Sequence, residues 1–546
     1  MTNAPALLRI SFFFFLTVFN AALLLKSFHM ELGFDAAYHA TVAKNLAQGY
    51  GWATSYENQF PLNPDVTTGP TLILPAALII KLVGNEIWVP AFTAALLNLL
   101  IFLLILFLYR RFFATAQHYY ICSLSLLAVY SLIEHSWWLA FTADMTVCLL
   151  AIGTCLAYVE SNLAETNTSR FRYALLAGCL AGMAILAKAT AGFLLMGLLL
   201  HWLVRGAMER SLNLRLLLII LLPIVMMALP WKLIAEWKIA QLPQAQQLEI
   251  KQYEHTFFSR QGSGIYELSK SENPVVTLWQ NLSRNLGVLN QHFYSRYHIP
   301  FASVGLLVLA AWSALSFRRW NSTSRRNQLI TVLCLVLLAN LLWFIFISYA
   351  WRAKHAMLAM MVGLFLLLYL ISNSRMQRWL FAVVAMLILI APMHLKLYLY
   401  SLYGFSNAPS AYNRDLLRAK QVFLQQQPNT RWAGCGWMFA PWALEYLLPA
   451  AENFRDCRRL LKQGVAPGKP TLEFNLAVNK LYWQTSAYKD PYLGILKICQ
   501  AHPILDLDYY GIYRCIWGKK EEQTVDLGEL LESDHAYFVH KPDSKY

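Results

Sequence analysis

The sequence predicts an α-helical polytopic membrane protein with a C-terminal extracytoplasmic α/β domain. Three observations predict it. Of 546 residues, 58% are hydrophobic and 14% are charged, against about 25% charged in a soluble domain. Apolar runs long enough to cross a bilayer recur as far as residue 396 and then stop. Charge divides at the same place: residues 397–546 hold 17 Lys+Arg and 15 Asp+Glu, leaving 28 and 15 for residues 1–396. Together these exclude a soluble enzyme, a disordered chain, a coiled coil and a single-span receptor. The positive surplus lies in the membrane part, which points to topology control and lipid head groups, with no nucleic acid as partner.

About eleven spans are expected, near 7–26, 87–109, 118–133, 141–160, 173–187, 190–204, 214–233, 301–316, 329–349, 356–372 and 379–396. Most approach the roughly 17–25 residues that a tilted helix needs. The first run follows a single arginine and lacks a small-residue cleavage site, so it reads as a retained span. With the N-terminus in the cytoplasm, 14 arginines and no lysine fall in the cytoplasmic connections, including Arg110-Arg111, Arg318-Arg319 and Arg325-Arg326. The opposite orientation would put each of these pairs outside, against the positive-inside rule. Residues 397–546 then lie beyond the far face.

Three extracytoplasmic segments are long enough to be structured: 27–86, 234–300 and 397–546. In the first, Asp35–Gln48 reads as an amphipathic helix ended by Gly49, and Tyr56–Pro70, with three prolines, as a loop. Thr71–Val83 is apolar but short, with a proline and a lysine, and reads as an interfacial or re-entrant helix. The tail alternates a helix near 413–426 with strands near 431–437 and 509–516. Of nine cysteines, four (Cys435, Cys457, Cys499 and Cys515) lie in the tail. In an oxidising compartment these four allow three pairings, of which Cys435–Cys457 and Cys499–Cys515 close short local loops. No CxxC or Cys/His spacing supports zinc.

The charges at the mouths of the spans carry the chemistry. Asp35 follows the first span, with Tyr38 and His39 just after it as candidate substrate-binding residues. Asp144 begins the fourth span at its outer end. Each aspartate is equally well placed to cap a helix, so the spacing supports both a capping and a catalytic or ligand role. Lys188 separates two short spans after a run of glycines and alanines; it could snorkel to the interface or hold a phosphate. Arg352, Lys354 and His355 form a basic cluster at the outer mouth between the ninth and tenth spans, contrary to the inside bias elsewhere. Carboxylates that can orient or deprotonate an acceptor, beside cations that can hold a phosphate, suit group transfer from a phospholipid-linked donor. A transporter would place its charges nearer the midplane, on broken helices in paired halves.

The order of these motifs resembles the polytopic GT-C glycosyltransferases, and within them the bacterial branch of lipid A aminoarabinose transferases and relatives of protein O-mannosyltransferases. The matching pieces are Asp35 through Gly51, Thr68-Gly69-Pro70, Gly182-Met-Ala-Ile-Leu-Ala-Lys188, Pro230-Trp231 and Arg352-Ala-Lys-His355. The resemblance covers about residues 1–400. It implies a bacterial inner-membrane enzyme that moves a sugar from a polyprenyl-phosphate carrier to lipid A or another envelope glycan at the periplasmic face. Asp35 and Asp144 would be catalytic; Lys188, Arg352, Lys354, His355, Tyr38 and His39 would bind substrate. A protein acceptor is the alternative within the class, and lipid or sugar transport the alternative outside it. No cofactor is implied. Many relatives have a second acid after the first-loop aspartate; here that position is Ala36, and the sequence gives a divalent metal no support.

Overall fold

The computed structural model describes residues 4–52, 68–132, 135–210, 212–244, 247–248, 273–297, 305, 324–347, 356–372, 410–426, 431–434, 442–448, 454–456, 471–480, 499 and 501–518. The chain divides into two compact units. The first comprises Met1–Ser27, Asn63–Leu72 and Phe92–Leu402; the second comprises Phe28–Leu62, Ile73–Ala91 and Tyr403–Tyr546.

The first unit is a helical membrane bundle. Its helices are α1 (Ala4–Ser27), α4 (Val89–Tyr109, entering from the second unit), α5 (Ala116–Leu132), α6 (His135–Leu139), α7 (Asp144–Leu163), α8 (Asn167–Ala187), α9 (Gly192–Glu209), α10 (Leu214–Ala240), α11 (Pro274–Tyr297), α12 (Arg325–Leu342) and α13 (Met357–Ser372). Seven helices among the described residues are long and apolar enough to cross a membrane: Ala6–Ser27, Val89–Phe112, Asp144–Leu163, Asn167–Ala187, Ala189–Glu209, Leu214–Ala240 and Arg325–Ile347. The expected spans at 118–133 and 356–372 correspond to α5 and α13, which have 17 and 16 residues. Those at 301–316, apart from Gly305, and at 379–396 lie outside the described residues.

α7 is the hub. It is buried along nearly its whole length and packs against α8, α12 and α13. α8 lies close against α10 because Gly178 and Gly182 face it. A β-carbon at Gly178 would run into the Ile220 carbonyl, and one at Gly182 would lie 2.9 Å from the Met227 sulfur. The small-residue run thus lets two backbones approach, as it does in membrane helices generally. α10 extends past Pro230-Trp231, where the apolar run was expected to end, through Pro223 and Pro230 to Ala240. Prolines are tolerated in membrane helices when the freed backbone groups find other partners. α12 continues into a π-helical turn, Trp343–Ile347. Buried Asn285 on α11 donates to the Phe344 and Ile345 carbonyls there, at 2.7 and 3.1 Å.

The second unit combines α2 (Phe34–Ala47), most of α3 (Pro70–Val83) and the tail: α14 (Ala411–Gln425), β1 (Trp432–Gly434), α15 (Trp442–Leu447), β2 (Phe454–Asp456), β3 (Thr471–Asn479), β4 (His502–Asp506) and β5 (Tyr510–Gly518). α2 stops where expected, at Gly49, whose φ of +88° suits glycine. It is not amphipathic, however: Ala37, Ala40, Thr41, Val42, Ala43 and Lys44 are all fully buried, and α15 packs on it. α3, at 14 residues, spans only about 21 Å, short of the roughly 30 Å hydrocarbon core. Leu74, Leu78 and Leu82 form an exposed apolar stripe on it, as an interfacial helix requires.

The tail sheet has the order β2-β1-β3-β5-β4. β1 runs parallel to β2 and β3; β3–β5 and β5–β4 are antiparallel, with β3 and β5 in register from Thr471↔Gly518 to Asn479↔Tyr510. The helix and the two strands read from the sequence correspond to α14, β1 and β5. β3 escaped that reading because it is central: Phe474, Asn475, Leu476, Ala477, Val478 and Asn479 are all buried, so no in–out alternation marks it. Cys499 and Cys515 form a disulfide with α-carbons 5.0 Å apart. Cys435 and Cys457 lie outside the described residues.

Candidate active site

The site in the first unit is built at the corner where α7 begins. Ala143, with φ of +62°, takes a left-handed conformation as the N-cap residue, and Asp144 is the first residue of the helix. Asp144 is therefore not the N-cap. Its Oδ2 accepts a hydrogen bond from the Thr142 hydroxyl at 2.9 Å, and its Oδ1 lies 2.7 Å from the Lys188 ammonium. The same ammonium donates to the Thr142 carbonyl at 3.2 Å. Lys188 ends α8 in an extended conformation, with φ of −166°, and its side chain turns across to α7 instead of running out along the helix. The pair is mostly enclosed, with side-chain exposures of 20% for Lys188 and 8% for Asp144.

A second motif meets the same corner. The Gly69 amide donates to the Ala187 carbonyl at 3.0 Å, and the Thr71 hydroxyl to the Met183 carbonyl at 2.6 Å. A β-carbon at Gly69 would collide with the Leu186 carbonyl. Thr68-Gly69-Pro70 is thereby seated on the last turn of α8, beside Lys188. Behind it, Asn98 on α4 donates to the Trp138 carbonyl and accepts from the Thr146 hydroxyl, each at 2.8 Å, which pins the first turn of α7.

The other end of α7 carries the opposite arrangement. Buried Glu160 pairs with Arg325 at 2.8 Å. Sixteen residues of helix separate Asp144 from Glu160, which is about 24 Å. The aspartate–lysine pair and the arginine-rich connections therefore sit at opposite ends of one span.

In the second unit Asp35 lies in the first turn of α2, one residue inside it, and the N-cap is Gly33. A carboxylate there is favoured by the helix dipole without capping the helix. Tyr38 and buried His39 follow, their rings 5.4 Å apart. Arg352, Lys354 and His355 lie outside the described residues. Thr142, Ala143, Gly69 and Thr71 were not singled out as site residues from the sequence, since only the tertiary contact between α7 and α8 gives them a common place. Among the described residues no group of three or more His, Cys, Asp or Glu side chains could hold a metal.

Residues 68–233, which run from Thr68-Gly69-Pro70 through Asp144 and Lys188 to Pro230-Trp231, match the model of the family described as dolichyl-phosphate-mannose-protein mannosyltransferase. No curated protein matches the chain by sequence. Among solved structures, the fold is similar to ArnT from Cupriavidus metallidurans bound to undecaprenyl phosphate, with TM-score 0.56, 13% identity, and coverage of 94% of this chain and 98% of that one. It is also similar to the apo state of the same protein, with TM-score 0.52, 13% identity, and coverage of 91% and 97%. The chain is thus similar in fold to ArnT over most of its length, and its segment 68–233 matches the mannosyltransferase family model.

Proposed function

We propose that the protein transfers a sugar from a polyprenyl-phosphate carrier to an envelope acceptor, lipid A or another glycolipid or glycan, at the periplasmic face of a bacterial inner membrane. The observation that carries this reading is the enclosed Asp144–Lys188–Thr142 cluster at the arginine-poor end of α7, with Thr68-Gly69-Pro70 seated beside it. In the reaction, an acceptor hydroxyl oxygen attacks the anomeric carbon. The bond from that carbon to the phosphate oxygen breaks, the hydroxyl proton passes to a carboxylate, and polyprenyl phosphate leaves. Asp35 takes the proton or orients the hydroxyl, with Tyr38 and His39 lining the acceptor. Asp144 binds the sugar or supports the displacement. Lys188, Arg352, Lys354 and His355 hold the phosphate and stabilise its charge as it leaves. A single inverting displacement follows the family precedent.

Lys188 pairs with Asp144, so a phosphate held by the same ammonium would share it with that carboxylate. A partly shared lysine suits a leaving group whose charge grows during the reaction, because the contact strengthens as charge develops. Purified protein incubated with a polyprenyl-phosphate sugar and an envelope extract tests the proposal. Free polyprenyl phosphate should accumulate in step with a glycosylated product. Movement of intact donor across a vesicle membrane without its cleavage would instead establish a transporter.

A further inference from the structure

The second unit holds a feature that none of this chemistry uses: a fully buried lysine at the far end of the helix that carries Asp35. Lys44 and Glu445 are both 0% exposed. The Lys44 ammonium donates to the Glu445 carbonyl at 2.5 Å and to the Leu448 carbonyl at 2.9 Å. These carbonyls end α15, where a helix has acceptors left over and its dipole favours a cation. The Glu445 carboxylate stabilises the ammonium, while burial acts against it and lowers its pKa to about 8.

The residues just before α2 are gripped from the tail as well. The Tyr412 hydroxyl on α14 donates to the Leu32 carbonyl at 3.1 Å, and the Asn413 amide to the Met30 carbonyl at 3.4 Å. Tyr412 is itself fixed by Tyr510 on β5, at 2.9 Å, and by Asn479 on β3, at 3.2 Å. The first-loop helix is thus clamped twice by the C-terminal domain, once just ahead of Asp35 and once at Lys44.

Burying two opposite charges near one another is a poor device for stability, since an apolar pair of similar volume often does as well or better. Its advantage is a fixed register. We infer that Lys44, through α15, is a positioning residue for the transfer reaction, and that the C-terminal domain sets the place of Asp35. The inference rests on the proposed role of Asp35.

Full-length K44R, K44M, K44M/E445L and D35N proteins test it in the donor-cleavage assay. The double variant removes both charges together, so no unpaired ion is left buried, and native-like resistance of the tail to limited proteolysis reports that it is folded. A positioning role predicts that folded K44M/E445L keeps its donor KM within about twofold while kcat falls about tenfold or more, as small misplacements of reacting groups do. K44R should recover most of the lost turnover. Folded K44M/E445L with normal kcat, or with only donor KM changed, would overturn the inference. If D35N turns over normally, the reading of Asp35 fails and the inference fails with it. If D35N is inactive while K44M/E445L is normal, only the inference fails.

Discussion

Ala143 and Lys188 show how much of the site depends on single residues. Left-handed backbone costs a residue with a β-carbon about 1–2 kcal/mol. Ala143→Gly should therefore raise stability by about 0.5–1 kcal/mol net, after allowance for the roughly 0.5–1 kcal/mol of extra freedom that glycine has in the unfolded chain. Ala143→Val should lower stability, and thermal unfolding in detergent compares the two. For Lys188, a charge-assisted contact in a partly dry site contributes about 1.5–3 kcal/mol. Lys188→Ala should then reduce donor use roughly ten- to a hundredfold, and the Asp144→Asn/Lys188→Ala cycle should be non-additive. Unchanged donor KM and kcat would confine Lys188 to its pair with Asp144. Both charges were legible in the sequence as residues in the wrong place for a bilayer. Their partnership was not: 44 positions separate them, and each had a plausible solitary explanation in helix capping or snorkelling.

Among the elements, those set by local chemistry were the readable ones. The end of α2 could be read because Gly49 alone fits the left-handed turn there. The brevity of α3 could be read from its length. The glycines of α8 could be read as packing residues but not assigned a neighbour; the structure supplies α10. Gly178→Ala should destabilise by about 1–3 kcal/mol because its new methyl group meets a backbone carbonyl. Gly192→Ala, with open space around it and an ordinary helical φ of −55°, should be neutral or better. The burial of α2 and the path of α10 through two prolines depended on tertiary neighbours and escaped a local reading. At β4, burial tends to raise the Asp506 pKa, but hydrogen bonds from Lys480 and Tyr513 and the Lys480 charge outweigh it and hold the pKa below 3.8. The unfolded chain then takes up its proton first as pH falls through the ordinary carboxylate range, so this contact stabilises the tail fully above that range and its contribution is lost as pH falls through the lowered folded pKa. Asp506→Asn should flatten that part of the acid unfolding curve, followed by limited proteolysis of the tail.

At the scale of the whole molecule, composition and arginine placement were enough to read a multi-pass bundle with a separate-looking tail. What they could not show is that the second compact unit draws in residues 28–62 and 73–91, so that the first-loop helix is built into the tail's own unit. Sequence adjacency assigns those residues to a membrane loop; burial of Lys44 and the contacts of Tyr412 assign them to the domain 400 residues away. If the tail is extracytoplasmic, Cys499–Cys515 should be recovered intact by non-reducing peptide mapping, while Cys148 and Cys155, buried in α7, should alkylate only after denaturation. The most direct measurement is transfer of isotopically labelled sugar from a polyprenyl-phosphate donor to envelope lipid and glycan by purified protein, with Asp35→Asn alongside. The account predicts labelled product and an equal amount of free polyprenyl phosphate for the native enzyme, and neither for folded Asp35→Asn. Labelled product from Asp35→Asn at the native rate, or no donor cleavage by the native protein with any polyprenyl-phosphate sugar, would contradict it.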